Sequence, residues 1–270
     1  MRQLKAQKAE KRKKSVIKGI IADTERAATH DGSGIRTTVF FKGCPLNCRW
    51  CHNPECIEFK PQMMHYPEKC IGCGKCDEGC FSGARVICGK EYNTDTLMKE
   101  ILLDKDYYGE NGGVTFSGGE PLAQPEFLKL MIEECKNEGI GCAVETSLFY
   151  YNEEIFKKLD FVMADFKIWD SGIHKEYTGV PNERIKENFQ KLNKLDIPII
   201  ARTPVIPGVR QEIDKISVFL KNLQNVKQYE LLPYHPMGNS KRVALGMQPD
   251  GFAVPTKEYM KELNKYAFVR

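Results

Sequence analysis

The chain lacks several features that would fix its class at once. No run of about 18 apolar residues occurs anywhere in its 270 residues, so no membrane-spanning helix is expected. The opening residues, MRQLKAQKAEKRKK, hold no apolar stretch of the kind a secretory signal needs, and a cytoplasmic location is expected. No repeat of solenoid length is visible, and nothing of low complexity beyond that Lys-rich start. Charge of one sign is missing from the body as well. Residues 2–14 carry seven Lys or Arg and one Glu, leaving 33 basic against 35 acidic residues elsewhere. The net charge of +4 therefore belongs to a tail, read as a basic extension over residues 1–16. A uniformly basic face for nucleic acid is not indicated. A G-x-G-x-x-G turn after the first strand is also absent, which argues against a dinucleotide-binding Rossmann fold.

Cysteine is what the chain has in excess. Nine of the 11 cysteines lie between Cys44 and Cys88. In a reducing compartment such density points to metal rather than disulfides, and an odd total fits a fully paired framework poorly.

From residue 90 onward the text alternates between two kinds of segment. Short apolar runs at 114–117, 142–146, 161–166, 199–203 and 229–233 are predicted as buried parallel strands. Helices are predicted at 95–103, 125–137, 153–159, 183–195, 212–222 and 256–265, with Pro125 opening the second and Gly139 just past its end. RTTVFF, from Arg36 to Phe41, reads as a sixth strand. Six strands with helices between them spell right-handed βαβ units and a parallel sheet, closed either as a doubly wound sheet or as a partial barrel. A Cys loop follows the first strand, and reactive groups recur at later strand ends, which favours a barrel with its site on the top face. Residues 52–92 interrupt the rhythm without a convincing long helix. They are read as an inserted module held by metal, since so short a segment cannot build its own core. The barrel would then comprise residues 17–51 and 93–270.

Cys44, Cys48 and Cys51 form C-x3-C-x2-C on one tight loop. Three thiolates can cap three irons of a 4Fe–4S cube and leave the fourth iron open to a chelating small molecule. A structural zinc completed by His52 is the alternative, but zinc prefers four closed ligands. Cys70, Cys73, Cys76 and Cys80 form C-x2-C-x2-C-x3-C, the bacterial ferredoxin run, with Phe81 where Pro is usual. Zinc ribbons usually use two separated pairs instead. Cys80 is the simplest fourth ligand, with Cys56 and Cys88 as rivals, while Cys135 and Cys142 read as inert core residues. In S-G-G-E-P the adjacent Gly118 and Gly119 let the backbone approach a ligand, and Glu120 can pair an amino group. Asp165 and Lys167 share one face of a strand, which alone would suit a salt bridge. Arg202 at a strand end suits a carboxylate or a ribose edge.

C-x3-C-x-aromatic-C, with Trp50 in the aromatic slot, resembles the signature of the radical S-adenosylmethionine (SAM) enzymes. D-G-S-G-I-R from Asp31 to Arg36, then C-H-N-P from Cys51, resembles more narrowly the activating enzymes of glycyl radical enzymes. Their usual D-G-P-G-x-R carries Ser33 here, and the resemblance runs from about residue 31 to about residue 246. It implies a partial (β/α)6 barrel with a ferredoxin-like insertion, bearing one auxiliary cluster because one Cys run is present rather than two. It implies Cys44, Cys48, Cys51 and Lys167 as catalytic, with Trp50, Gly118, Gly119, Glu120, Arg202 and His235 binding SAM. It further implies a sodium or potassium ion on Glu145, Thr146, Met163 and Asp165, Glu145 replacing the commoner Asp. The implied activity is that of an oxidoreductase. A reduced cluster cleaves SAM to a 5′-deoxyadenosyl radical, which takes a hydrogen from a glycine of a partner enzyme. Flavodoxin or ferredoxin would supply the electron, and hydroxyproline dehydratase is the expected partner. A radical SAM enzyme of small molecules is the alternative, and a metal-binding nucleic-acid module a more distant one. No membrane or nucleic-acid partner is expected.

Overall fold

The fold is known from a computed structural model that describes residues 17–76 and 79–270; the basic extension expected at residues 1–16 lies outside them. Six strands run parallel in strict chain order: β2 (Arg36–Phe41), β6 (Gly113–Gly118), β7 (Gly141–Thr146), β8 (Phe161–Asp165), β9 (Ile199–Val205) and β10 (Val226–Pro233). Each step moves the same way across the sheet, so the winding is single. A doubly wound sheet would reverse direction at a switch point. β6 is buried along nearly its whole length, as a parallel strand covered on both faces must be.

Antiparallel strands extend both edges. β1 (Lys18–Ala28) pairs with β2 on one side and with β5 (Lys90–Asn93) on the other, while β11 (Phe268–Val269) pairs with β10. None of these three was expected. β1 alternates only partly and carries a polar outer face, and β5 and β11 are too short for a period to register. β5 also corrects a boundary: Lys90–Asn93 belongs to the large sheet, so the insertion ends at about Gly89 instead of residue 92.

The helices are α1 (Thr94–Leu102), α2 (Pro125–Asn137), α3 (Glu153–Phe156), α4 (Ser171–Thr178), α5 (Glu183–Leu192), α6 (Ile213–Lys221), α7 (Gly238–Ala244) and α8 (Lys257–Leu263). Asn93 caps α1 through a reciprocal pair of hydrogen bonds with Thr96, and Leu97, Met98 and Ile101 form the buried stripe. α2 opens on Pro125 and buries Phe127, Leu128, Met131, Ile132 and Cys135 against the sheet. α3 and α5 stop three residues short of the sequence expectation because their last turns tighten. Leu159 N–H donates to Phe156 O, and Leu195 N–H to Leu192 O, each a three-residue step. α4 was missed although its punctuation was present. The Asp170 carboxylate accepts from Ile173 N–H at the start, and Gly179 takes φ 85° at the end.

The insertion is a hairpin of β3 (Gln62–His65) and β4 (Arg85–Cys88), with the described residues 66–76 and 79–84 in its connecting loop. Arg36 of D-G-S-G-I-R is 1% exposed and fastens the entry to β2. Its guanidinium donates to Thr115 Oγ1 (2.7 Å), Val114 O (2.8 Å) and Ser33 O (3.1 Å), and lies over the Phe161 ring.

Candidate active site

The parallel strands all end on one side, and the reactive residues gather there. The Cys loop leaves β2 and is held from several directions by backbone hydrogen bonds. Gly43 N–H donates to Cys56 O (2.8 Å), Cys44 N–H to Ile57 O (3.0 Å), and Asn47 and Arg49 N–H to Thr178 O and Tyr177 O at the end of α4. Glu120 N–H donates to Gly43 O at 2.8 Å. The glycines of the G-G-E turn exist for this contact. A Cβ on Gly119 would lie 2.5 Å from Cys56 O and 2.6 Å from Gly43 O, and one on Gly118 would strike the backbone of Phe41. A Cβ on Gly238, at the start of α7, would lie 2.6 Å from Cys51 O.

Burial pushes the thiols of Cys44, Cys48 and Cys51 upward, Cys51 to about 12, and Cys48 raises both of the others. Lys167 works against this. Its ammonium is 2.5 Å from Asp165 Oδ2 and near enough to Cys48 and Cys51 to favour their thiolates. Burial alone would lower the lysine, but Asp165, Cys48 and Cys44 together outweigh it and keep it charged. Three desolvated thiols beside a half-buried cation are a donor set for a positive metal centre. Among the described residues no three His, Cys, Asp or Glu side chains converge closely enough to hold one metal ion. A 4Fe–4S cube seats each thiolate on its own iron, so its donors stand apart.

Beyond Lys167 a row of charged side chains crosses the strand ends. The pairing sets Glu145 beside Met163, Asp165 beside Arg202, and Arg202 beside Glu230. Glu145 accepts from Ser117 Oγ (2.6 Å) and lies 3.2 Å from Arg202 Nη1. His235 meets His52 of the Cys loop edge-to-face, ring centroids 4.6 Å apart. Partial desolvation of the ring, then Lys241 and His235, push His52 down to about 4, so it is neutral at pH 7.

Two expected SAM contacts are placed differently. Glu120 is fully buried, and its carboxylate accepts from Thr146 Oγ1 (2.8 Å), Ser147 N–H (2.9 Å), Ser147 Oγ (2.6 Å) and Leu122 N–H (3.2 Å). It anchors the turn to β7 and does not present an open carboxylate. Trp50 is 6% exposed, its ring packed against Tyr177 (6.0 Å) and Phe252 (5.9 Å), which also touch each other, so this cluster secures the loop. Sequence reasoning missed Tyr177, Ser147 and Phe252 entirely. Only the Asp170 and Gly179 punctuation around α4 could have drawn attention to Tyr177.

The second Cys run lies in the hairpin loop, with Cys70, Cys73 and Cys76 exposed. Gly72 and Gly74, at φ 66° and 71°, turn the chain tightly between them. The Ser82 hydroxyl and the amides of Arg85, Ala84 and Ser82 draw the Cys80 thiol down to about 7. Cys88 pairs with Gln62 at the far end of the hairpin, three residues or roughly 10 Å from the loop. Cys56 is fully buried, with Glu55 and then Cys88 as its nearest charge partners. The two rivals of Cys80 thus sit at the hairpin base, away from the run.

Residues 38–220 match the family model of the radical SAM superfamily. The chain belongs to that superfamily. It is 37% identical to the 4-hydroxyphenylacetate decarboxylase activating enzyme of Clostridioides difficile (strain CD196), over 86% of this chain and 87% of the relative. It is 34% identical to the trans-4-hydroxy-L-proline dehydratase activating enzyme of Clostridioides difficile, over 91% and 95%. Streptococcus suis SuiB bound to precursor peptide SuiA shares the fold, with TM-score 0.54 and 16% identity over 83% of this chain and 42% of that one. Within the superfamily this radical SAM enzyme is one of the activating enzymes of glycyl radical enzymes, as its D-G-S-G-I-R and C-H-N motifs suggested. Membership implies SAM and one 4Fe–4S cluster. Near-equal identity to the activators of a decarboxylase and a dehydratase does not single out hydroxyproline dehydratase. No helix among the described residues is long and apolar enough to cross a membrane.

Proposed function

We propose that this chain installs a glycyl radical on a partner enzyme, with Cys44, Cys48 and Cys51 holding the cluster and an electron from flavodoxin or ferredoxin starting each turnover. Bound there, a reduced 4Fe–4S cluster and SAM supply a 5′-deoxyadenosyl radical able to take a hydrogen atom from a glycine α-carbon. The observation that carries the reading is the Lys167–Asp165 pair, half-buried beside the same three thiols at the mouth of the parallel strands. Lys167 holds a fixed positive charge beside the thiolates, where the carboxylate of a chelating amino acid would also need one. Gly118 and Gly119 hold the G-G-E turn against the Cys loop, and Arg202 and His235 furnish further polar contacts above it. The rings of Trp50, Tyr177 and Phe252 keep water from one side of the loop.

The partial (β/α)6 barrel and its ferredoxin-like insertion belong to the same reading. Cys70, Cys73, Cys76 and Cys80 would hold a second 4Fe–4S cluster. Its loop lies in solvent, where it can accept an electron or stiffen the hairpin. The test is anaerobic reconstitution followed by dithionite or flavodoxin reduction with SAM. About eight irons per chain and release of 5′-deoxyadenosine are expected, both reduced in the Cys44→Ala variant. Adding the partner glycyl radical enzyme, to be sought first among the genes beside this one, should yield its glycyl radical signal by electron paramagnetic resonance. A wild-type protein that carries its clusters and cleaves no SAM would overturn the reading.

A further inference from the structure

The cation site implied by the family resemblance does not fit the residues present. Its four side chains are already engaged. Arg202 Nη1 donates to Met163 Sδ at 3.1 Å and lies 3.2 Å from Glu145 Oε1. Thr146 Oγ1 donates to Glu120 and accepts from Leu148 N–H at 3.0 Å. Asp165 is taken by Lys167. Two of the four ligands thus converge on a single guanidinium nitrogen, and that guanidinium is itself buried.

The sequence explains how the arginine reaches this position. Glu145 is on β7 and Arg202 on β9, two strands apart or roughly 9.6 Å in backbone spacing. A glutamate and an arginine, both long, can close that span over Met163 of the intervening strand. An aspartate, one methylene shorter, would leave the carboxylate beneath Met163 and a gap for an ion. Glu230, opposite Arg202 on β10, steadies the guanidinium from the other side, with its Oε2 3.9 Å from Nε. A metal ion placed between Glu145 and Met163 would meet this fixed positive charge at contact distance, and Lys167 one rung further on.

We infer that the Arg202 guanidinium is the resident cation of this site, standing between Glu145 and Met163 where a sodium or potassium ion would otherwise sit. SAM binding by this chain is then independent of monovalent metal ions. Arg202 Nε, buried and without a hydrogen-bond partner, remains as a donor for a ligand.

The experiment uses the reconstituted holoenzyme in potassium, sodium or N-methylglucamine chloride at equal ionic strength. The SAM dissociation constant and the thallium-205 resonance of added thallous ion are both read. Wild type should bind SAM equally in all three salts, within about twofold, and leave the thallium line unbroadened. Arg202→Met should broaden the thallium line and bind SAM at least about tenfold tighter in potassium than in N-methylglucamine. Arg202→Gln takes its place if the methionine variant does not fold. Thallium broadening in wild type that Glu145→Gln abolishes would overturn the inference. So would an arginine-free variant that remains indifferent to cations. The SAM arm rests on the function proposed above. Absence of SAM binding in every salt would sink that function, while the thallium arm would still decide the cation.

Discussion

Glu120 is where family expectation and geometry diverge most, and one pair of substitutions separates them. Replacing it with alanine removes the acceptor for two buried amides, Ser147 N–H and Leu122 N–H, and for the Thr146 and Ser147 hydroxyls. The hydroxyls can rotate to other acceptors; the amides cannot. Two orphaned amides cost about 1–3 kcal/mol each, partly offset because a buried charge also disappears. A net loss of about 3 kcal/mol is expected, which in a chain of this size lowers Tm by about 6–12 °C. Glu120→Gln keeps the shape and can present its oxygen to Ser147 while its amide group donates to Thr146. Only the longer bond from Leu122 is lost, at about 1 kcal/mol. Burial holds the folded carboxyl above its ordinary 4.5, so wild type is favoured at acid pH and loses that margin as the pH rises through the folded value. The gap between wild type and Glu120→Gln should therefore narrow as the pH is raised.

The assay is anaerobic thermal melting of the reconstituted proteins beside SAM binding at equilibrium. An anchoring role requires Glu120→Gln to retain SAM affinity within about threefold, because nothing in contact with a ligand has changed. A Glu120→Gln protein that melts with wild type yet binds SAM more than about tenfold worse, some 1.4 kcal/mol, would refute the reasoning. The carboxylate would then have to face the ligand.

Replacing Cys44, Cys48 and Cys51 together by Ala should leave about four irons and abolish SAM cleavage; retained cleavage would mean that the catalytic cluster is elsewhere. Replacing Cys70, Cys73 and Cys76 should unload one cluster while SAM still binds, since the charged row belongs to the parallel strands. Lost SAM binding would make the hairpin part of the site. In iron-free protein Cys80 should be alkylated by iodoacetamide with a midpoint near pH 7, the thiolate being the reactive form and already favoured there. Ser82→Ala should move that midpoint upward, and mass spectrometry of the peptide reads it. Phe252→Ala should cost about 1–2 kcal/mol for a half-buried ring and shift the tryptophan emission to the red as water reaches Trp50.

Much of this was legible in the sequence because the chemistry is written locally. All six parallel strands were readable, five through short apolar runs and β2 as RTTVFF; where both faces are covered, as in β6, burial leaves no room for polar alternation. The Cys loop, the G-G-E turn, Asp165 with Lys167, and His235 fell at their ends because a single winding brings every such end to one side. What the sequence hid depends on partners distant in the chain. β1 and β5 are strands only because they pair with β2 and with each other. Glu120 looked like a ligand because a G-G-E turn says nothing about Thr146 and Ser147, 26 and 27 residues later, whose hydroxyls enclose it. Arg202 was read as a ligand contact for the same reason. Its neighbours Glu145, Met163 and Glu230 lie on three different strands.

The constraint on the Cys loop bears on function as much as the loop's own residues do. Three cysteines within eight positions could wander in a free loop, and ordering each residue costs about 1–2 kcal/mol of backbone entropy. Here that cost is met by folding itself. Gly119 and Gly238 bring β6 and α7 into backbone contact with the loop on two sides, the end of α4 caps Asn47 and Arg49, and Trp50 is locked under Phe252. A cofactor arriving at such a loop finds its donors already positioned, so its binding energy is not spent on ordering protein. The hairpin loop differs in kind. Gly72, Gly74, Gly79 and Gly83 have open space where a side chain would be, and three of its four thiols are exposed. A cluster bound there, as proposed, would have to supply the order that packing does not. Loss of iron should therefore leave the first loop protected from amide exchange and expose the second, and equal protection of both would contradict this division.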